Sequence, residues 1–233
     1  MAGDNTARTV SDLFRWGPRR GDPEGAVSPP DPADETRVLP SKIFPKFLAA
    51  LAQHESPVLV DLGPVVGSNI TFFGERLSCK IFVEDVCAEV EKHACRNGTA
   101  ELPAFLETRF SGRDSTADGI LCWDVFDYLD RRAAQALAGR LVRMLKPGGS
   151  VLGFFGTADV ERQHYTKYVI VDDARLRHRP YPATGSHRHV LLNRDIIRMF
   201  EGLEVSEQVL LQINVREILF RKPGYLSGAR PAQ

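Results

Sequence analysis

Pro57-Val-Leu-Val-Asp-Leu-Gly-Pro-Val-Val-Gly67 is the stretch whose reading decides the fold. Its first six residues form a short, nearly continuous apolar run, the pattern of a strand buried on both faces. Gly63 to Gly67 reads as a tight loop, and Ser68 to Leu77 as a helix. A strand, a glycine-bearing loop and a helix in that order form the repeating unit of a parallel α/β sheet.

Downstream the unit recurs. Lys80-Ile-Phe-Val-Glu84 reads as a second strand and Val86 to Arg96 as its helix. A weaker third strand is expected near Phe105. Asp118-Gly-Ile-Leu-Cys-Trp123 reads as a fourth strand. Ala134, Leu137, Ala138, Leu141, Val142 and Leu145 then line one helical face. Lys146-Pro-Gly-Gly149 stops that helix, and Ser150 to Phe155 supplies a fifth strand. Strands alternating with helices of this length imply a parallel sheet with right-handed crossovers.

The C-terminal part changes character. Asn193 can cap a helix through Phe200, and Glu204 to Leu211 with Val215 to Arg221 read as a β-hairpin. Between them, 157–192 is polar and reads as irregular, long enough for a lid or substrate loop. It carries His164, Tyr165, Tyr168, Arg175, Arg177, His178, Arg179, His187, Arg188 and His189. The arginines suit a phosphate or carboxylate on a substrate, or equally a solvated, salt-bridged surface. No Cys or Glu stands at diagnostic spacing from the histidines, so no metal is expected.

Upstream, helical spacing of Phe44, Phe47, Leu48 and Leu51 marks the start of the folded part, near Ser41. Residues 1–38 crowd Pro18, Pro23, Pro29, Pro30 and Pro32 among Gly, Asp, Glu and Arg, a composition too poor in apolar surface to offset its ordering entropy. The organisation expected is a 1–38 tail, a domain over 39–225 and a second tail over 226–233. Within the first tail Ser11 can cap a short helix presenting Leu13, Phe14 and Trp16, either a docking motif for a protein partner or part of a floppy segment. The 30 basic and 30 acidic residues cancel, which argues against nucleic acid and membrane as partners. MAGDNTARTV has no apolar signal core, and Cys79, Cys87, Cys95 and Cys122 form no CxxC pair. Reduced thiols in a cytoplasmic protein are therefore expected.

On four stretches the sequence resembles the class I S-adenosylmethionine-dependent methyltransferases, over roughly residues 57 to 221. They are the segment from Val58 to Gly67, the acidic Glu84 ending the second strand, Asp118 to Leu129, and Leu145-Lys-Pro-Gly-Gly149. The resemblance implies a doubly wound α/β fold, a mostly parallel seven-stranded sheet closed by a C-terminal antiparallel β-hairpin in three α/β/α layers. It implies S-adenosyl-L-methionine as cofactor, held at Asp61, Gly63, Pro64, Gly67, Glu84, Asp85, Cys122 and Trp123. Glu84 would take the ribose hydroxyls, with Asp85 in its place if the register is off by one. Trp123 would border the donor, or serve as a core aromatic. Val65 stands where the family has its middle glycine, so the loop is either reshaped or holds its ligand differently.

Methyl transfer needs alignment more than a base, because the sulfonium already activates the methyl group. If a base is used, Asp124 is the first candidate and Tyr165 or His164 the next. The activity expected is methyl transfer to a small-molecule or protein acceptor. A methyltransferase-like module that has lost activity and binds a partner is the alternative, with nucleic-acid methylation third.

Overall fold

The computed structural model describes residues 37–157, 165–181 and 189–224. The expected docking motif at Leu13, Phe14 and Trp16 lies outside these residues, as do His164, His187 and Arg188. In chain order the first elements are β1 (Arg37–Pro40), α1 (Phe44–Leu51), β2 (Val58–Asp61), α2 (Gly67–Leu77), β3 (Lys80–Val83), α3 (Val86–Asn97), α4 (Leu102–Arg109) and β4 (Ala117–Trp123). They are followed by α5 (Arg131–Met144), β5 (Leu145–Gly156), β6 (Tyr165–Asp172), β7 (Arg175–Tyr181), α6 (Asn193–Met199), β8 (Glu204–Leu210) and β9 (Val215–Arg221). A 3-10 turn at Val125–Tyr128 follows β4.

Among the described residues the main sheet has six strands, in the order β3-β2-β4-β5-β9-β8. The first four run parallel, and β9 pairs antiparallel with both β5 and β8. The resemblance implies seven strands, and the difference is traceable. The segment expected to form a strand near Phe105 is α4, because Leu102, Leu106 and Phe110 recur four residues apart and are all buried. Pro103 sits in the first turn, where its missing N–H costs nothing. With no strand there, β3 is the sheet edge.

Alternation along the strands sorts the core into two layers. Val60, Ile120, Val151, Ile218 and Phe220 face α3, α4, α5 and α6, while Leu59, Leu121, Leu152 and Leu219 face α1 and α2. Asp118 ties the N-terminal ends of the parallel strands together, accepting the N–H of Val58 at 2.9 Å and a hydrogen bond from Lys146 Nζ at 2.7 Å.

Within the segment 157–192, residues 165–181 are not irregular. β6 and β7 form an antiparallel pair, and β1 joins β7 to make a second, three-stranded sheet. The density of Arg and Lys hid the two-residue alternation, in which Tyr168, Ile170 and Leu176 bury themselves against Phe44, Phe73 and Trp123. Leu39 lies opposite Leu176, and β1 takes in Arg37 and Val38, inside the segment that composition assigned to the tail. No helix among the described residues is long and apolar enough to cross a membrane.

Candidate functional site

The loops leaving β2 and β3 run side by side at the C-terminal edge of the sheet. The N–H of Glu84 donates to the carbonyl of Asp61 at 2.8 Å, and that of Val86 to Leu62 at 3.0 Å. This is the edge on which parallel α/β sheets bind ligands. Asp61 is buried, and desolvation pushes its carboxyl up to about 6, opposed by hydrogen bonds from the N–H of Gly63 and the indole of Trp123. Pro64 is buried behind the loop. Gly67 is exposed and opens α2 with free space where a side chain would stand.

Val65 needs no glycine. It does not adopt positive φ, and it is 60% exposed. The loop is therefore reshaped so that the branched residue points to solvent and away from the glycine backbone.

Glu84 stands at the end of β3, one residue past the strand. One carboxylate oxygen accepts from Arg109 at 2.8 Å and the other from Arg113. Arg109 also pairs with Glu89, and the Arg113 guanidinium lies 4.8 Å over the Phe82 ring. These arginines come from α4 and the loop after it, so strand-end reasoning missed them. Their i,i+4 spacing on either side of Phe110 was the available signal. Asp85 adopts φ +35°, a conformation Asp tolerates better than most residues. Its carboxylate reaches the N–H of Ala88 at 3.4 Å, at the start of α3, and burial raises its pKa.

At the end of β4, Cys122 and Trp123 face opposite ways. Cys122 is buried among the α3–α6 layer, where burial pushes its thiol far up. Trp123 enters the other layer. Its indole N–H donates to Asp61 Oδ1 at 2.6 Å, and its ring stacks on Tyr168 with centroids 5.0 Å apart. Asp124 is buried next to it, 3.5 Å from the hydroxyl of Tyr128, whose ring meets Tyr165 edge-on at 4.1 Å. Asp124 and Tyr165 thus gather around Tyr128, a residue that no pattern in the sequence singles out. Asp127 is fully buried, and its two oxygens accept the N–H of Gly156 at 3.1 and 3.0 Å, bracing the 3-10 turn against β5.

On β7, Arg175, Arg177 and Arg179 share one face with Lys167 and Val169, while His178 turns to Tyr168. Arg175 is paired with Asp172. Among the described residues no group of three His, Cys, Asp or Glu side chains could hold a metal ion.

No family model matches the sequence, and no curated protein matches it either. Solved structures do. An S-adenosylmethionine-dependent methyltransferase from Mesorhizobium loti is similar at a TM-score of 0.50 and 12% identity, over 78% of this chain and 98% of that one. The chain has the fold of the S-adenosylmethionine-dependent methyltransferases. The N-methyltransferase NodS from Bradyrhizobium japonicum is similar at a TM-score of 0.47 and 17% identity, over 77% of this chain and 94% of that one. A 1,6-didemethyltoxoflavin N1-methyltransferase from Burkholderia thailandensis, crystallised with S-adenosylhomocysteine, has a TM-score of 0.46 at 14% identity, over 78% and 79% of the two chains.

Glu84 has lone pairs beyond those taken by its two arginines, since a carboxylate offers about four acceptor sites. Asp61 supplies a buried carboxyl beside the Gly63 backbone. Over that same backbone stands the indole of Trp123.

Proposed function

We propose that the protein is an S-adenosylmethionine-dependent methyltransferase acting on a small molecule. The observation that carries this is the placement of Asp61, Gly63 and Glu84 on adjoining loops at one end of a parallel sheet of this fold. Glu84 would take the ribose hydroxyls, Asp61 the charged amino group, and the Gly63–Gly67 loop would let the backbone approach. Asp85, whose carboxylate accepts the Ala88 N–H at 3.4 Å, is the alternative to Glu84 on the same loop, while Pro64 and Cys122 bring no charged group. When bound, the cofactor supplies a methyl group already activated on a sulfonium.

The chain's own contribution is alignment and exclusion of water. Asp124, Tyr128 and Tyr165 form a buried polar cluster beside the end of β4, all three less than a tenth exposed. The burial of Asp124 and Tyr165 favours a small molecule over a protein side chain as the acceptor. Asp124 is the group placed to accept a proton from it, with the Tyr165 hydroxyl as the orienting partner.

A second reading has its own observation. Trp123 covers Gly63 and both Glu84 oxygens hold arginines, the arrangement of a binding module that has given up the cofactor. Titration calorimetry with S-adenosylhomocysteine separates the two. Binding lost in Glu84→Ala supports the enzyme; no heat at millimolar ligand supports the binding module.

A further inference from the structure

Trp123 is the last residue of β4 and adopts φ +48°, the left-handed region that is unfavourable for a bulky side chain. The surroundings hold it there. Besides the stack on Tyr168, the indole meets Phe154 edge-on at 5.7 Å and Phe44 at 6.5 Å. Tyr168 is itself anchored, because Asn69 on α2 donates to its carbonyl at 2.7 Å and accepts the N–H of Ile170 at 2.9 Å. The indole is thus clamped between the main sheet and the second sheet.

What the ring lies on is the more informative fact. A Cβ built on Gly63 would fall 2.6 Å from Trp123 Cδ1 and 2.9 Å from Nε1. Gly63 is glycine because the protein's own indole occupies the space above it. One oxygen of Asp61 already takes both the Gly63 N–H, at 2.9 Å, and the indole N–H. Any ligand group that reaches Asp61 across Gly63 meets that ring first.

We propose that Trp123 determines which ligands the site accepts: its indole N–H stands in for a ligand ammonium on Asp61, and it must swing off Gly63 before a ligand bearing an amino-acid end can bind. This rests on the reading of the strand ends as an S-adenosyl site, and it makes the site discriminate by ligand length. Adenosine has no amino-acid end and leaves the indole in place. S-adenosylhomocysteine has one and displaces it, at the expense of the stack on Tyr168.

The test compares S-adenosylhomocysteine and adenosine by calorimetry, in the wild type, in Trp123→Ala and in Trp123→Leu, which keeps apolar volume if the alanine variant fails to fold. Melting curves establish that each variant is folded. The expected result is at least tenfold tighter S-adenosylhomocysteine binding in the variants, with adenosine affinity changed less than twofold. In a Trp16→Phe background, where Trp123 is the only indole, its emission should shift to the red with S-adenosylhomocysteine and stay put with adenosine. Equal or weaker binding in the folded variants overturns the role of Trp123 and leaves the cofactor reading standing. Binding in the variants alone supports Trp123 as the block and removes the native protein from the active methyltransferases. No binding to any folded form overturns both.

Discussion

The indole N–H of Trp123 and the carboxylate of Asp61 meet at 2.6 Å with both side chains buried, joining the ends of β4 and β2. Asp61 holds its proton up to about pH 6 in the folded chain, against an ordinary value of 3.8, because burial outweighs the two hydrogen bonds it accepts. Between those values the folded state binds more protons than the unfolded one, so this group lowers stability as pH rises through the window. The effect is on the order of 3 kcal/mol at full development. Asp61→Asn removes it while keeping an acceptor for Trp123 and Gly63. The unfolding free energy of the wild type relative to Asp61→Asn should therefore increase as the pH is lowered from about 7 to about 4.5. A difference that stays flat across that range would place the Asp61 titration elsewhere.

Glu84→Ala should act on stability and on binding at once. Arg109 and Arg113 lose a shared, largely buried anion, and a hydrogen bond to a charged group contributes roughly 1.5–3 kcal/mol. A drop of several degrees in melting temperature is expected, together with a tenfold to hundredfold loss of S-adenosylhomocysteine affinity. The control is Asp85→Asn, not alanine, since Asn keeps both the positive φ and the acceptor facing Ala88. Its ligand affinity should change less than threefold.

Val65→Gly should leave ligand affinity unchanged. The valine side chain is mostly in solvent, so removing it clears no space over the loop. The added backbone freedom should cost about 0.5–1 kcal/mol of stability. A large gain in affinity would mean that Val65 turns inward when ligand is present.

Glu217 on β9 is buried and accepts the N–H groups of Lys42 at 2.9 Å and Ile43 at 3.0 Å, holding the start of α1 against the sheet. Glu217→Ala leaves those donors buried without an acceptor. It should destabilise by roughly 1–3 kcal/mol, measured by denaturant unfolding. Glu217→Gln, which keeps one acceptor, should recover most of the loss.

Truncation has a sharp boundary. Removal of residues before Ala33 should leave the melting temperature unchanged, whereas removal through Pro40 deletes β1 and its pairing with β7. The shorter chain should melt several degrees lower and bare β7 as a sheet edge. Equal melting temperatures would show that β1 carries no stability.

How much of this could be read from the chain depended on how local the signal was. The buried strand at Val58–Asp61, the helix face from Ala134 and the acidic ends at Asp61 and Glu84 rest on periodicity and spacing within a few residues, and the elements form there. The exception is that the helix ends at Met144, and Leu145 to Gly149, read as its last residue and its stop, already belong to β5. Phe105 went the other way. A few apolar residues in a short segment fit a strand or a helix alike, and the choice fell to Leu102, Leu106 and Phe110 finding the α5 side of the core.

By itself the sequence determined the α/β alternation, the parallel direction of the central strands and the loop on which Asp61 and Gly63 sit, because each follows from backbone preferences and burial patterns close together in the chain. Only the tertiary structure decided that Glu84 is shared by Arg109 and Arg113, that 165–181 builds a second sheet with β1, and that Trp123 lies over Gly63. The last of these joins residues far apart in the chain, with Gly63 in the loop after β2 and Trp123 at the end of β4. No local propensity encodes such a pair. It forms when two strand ends, aligned by the sheet, leave one glycine-sized gap and one indole to fill it.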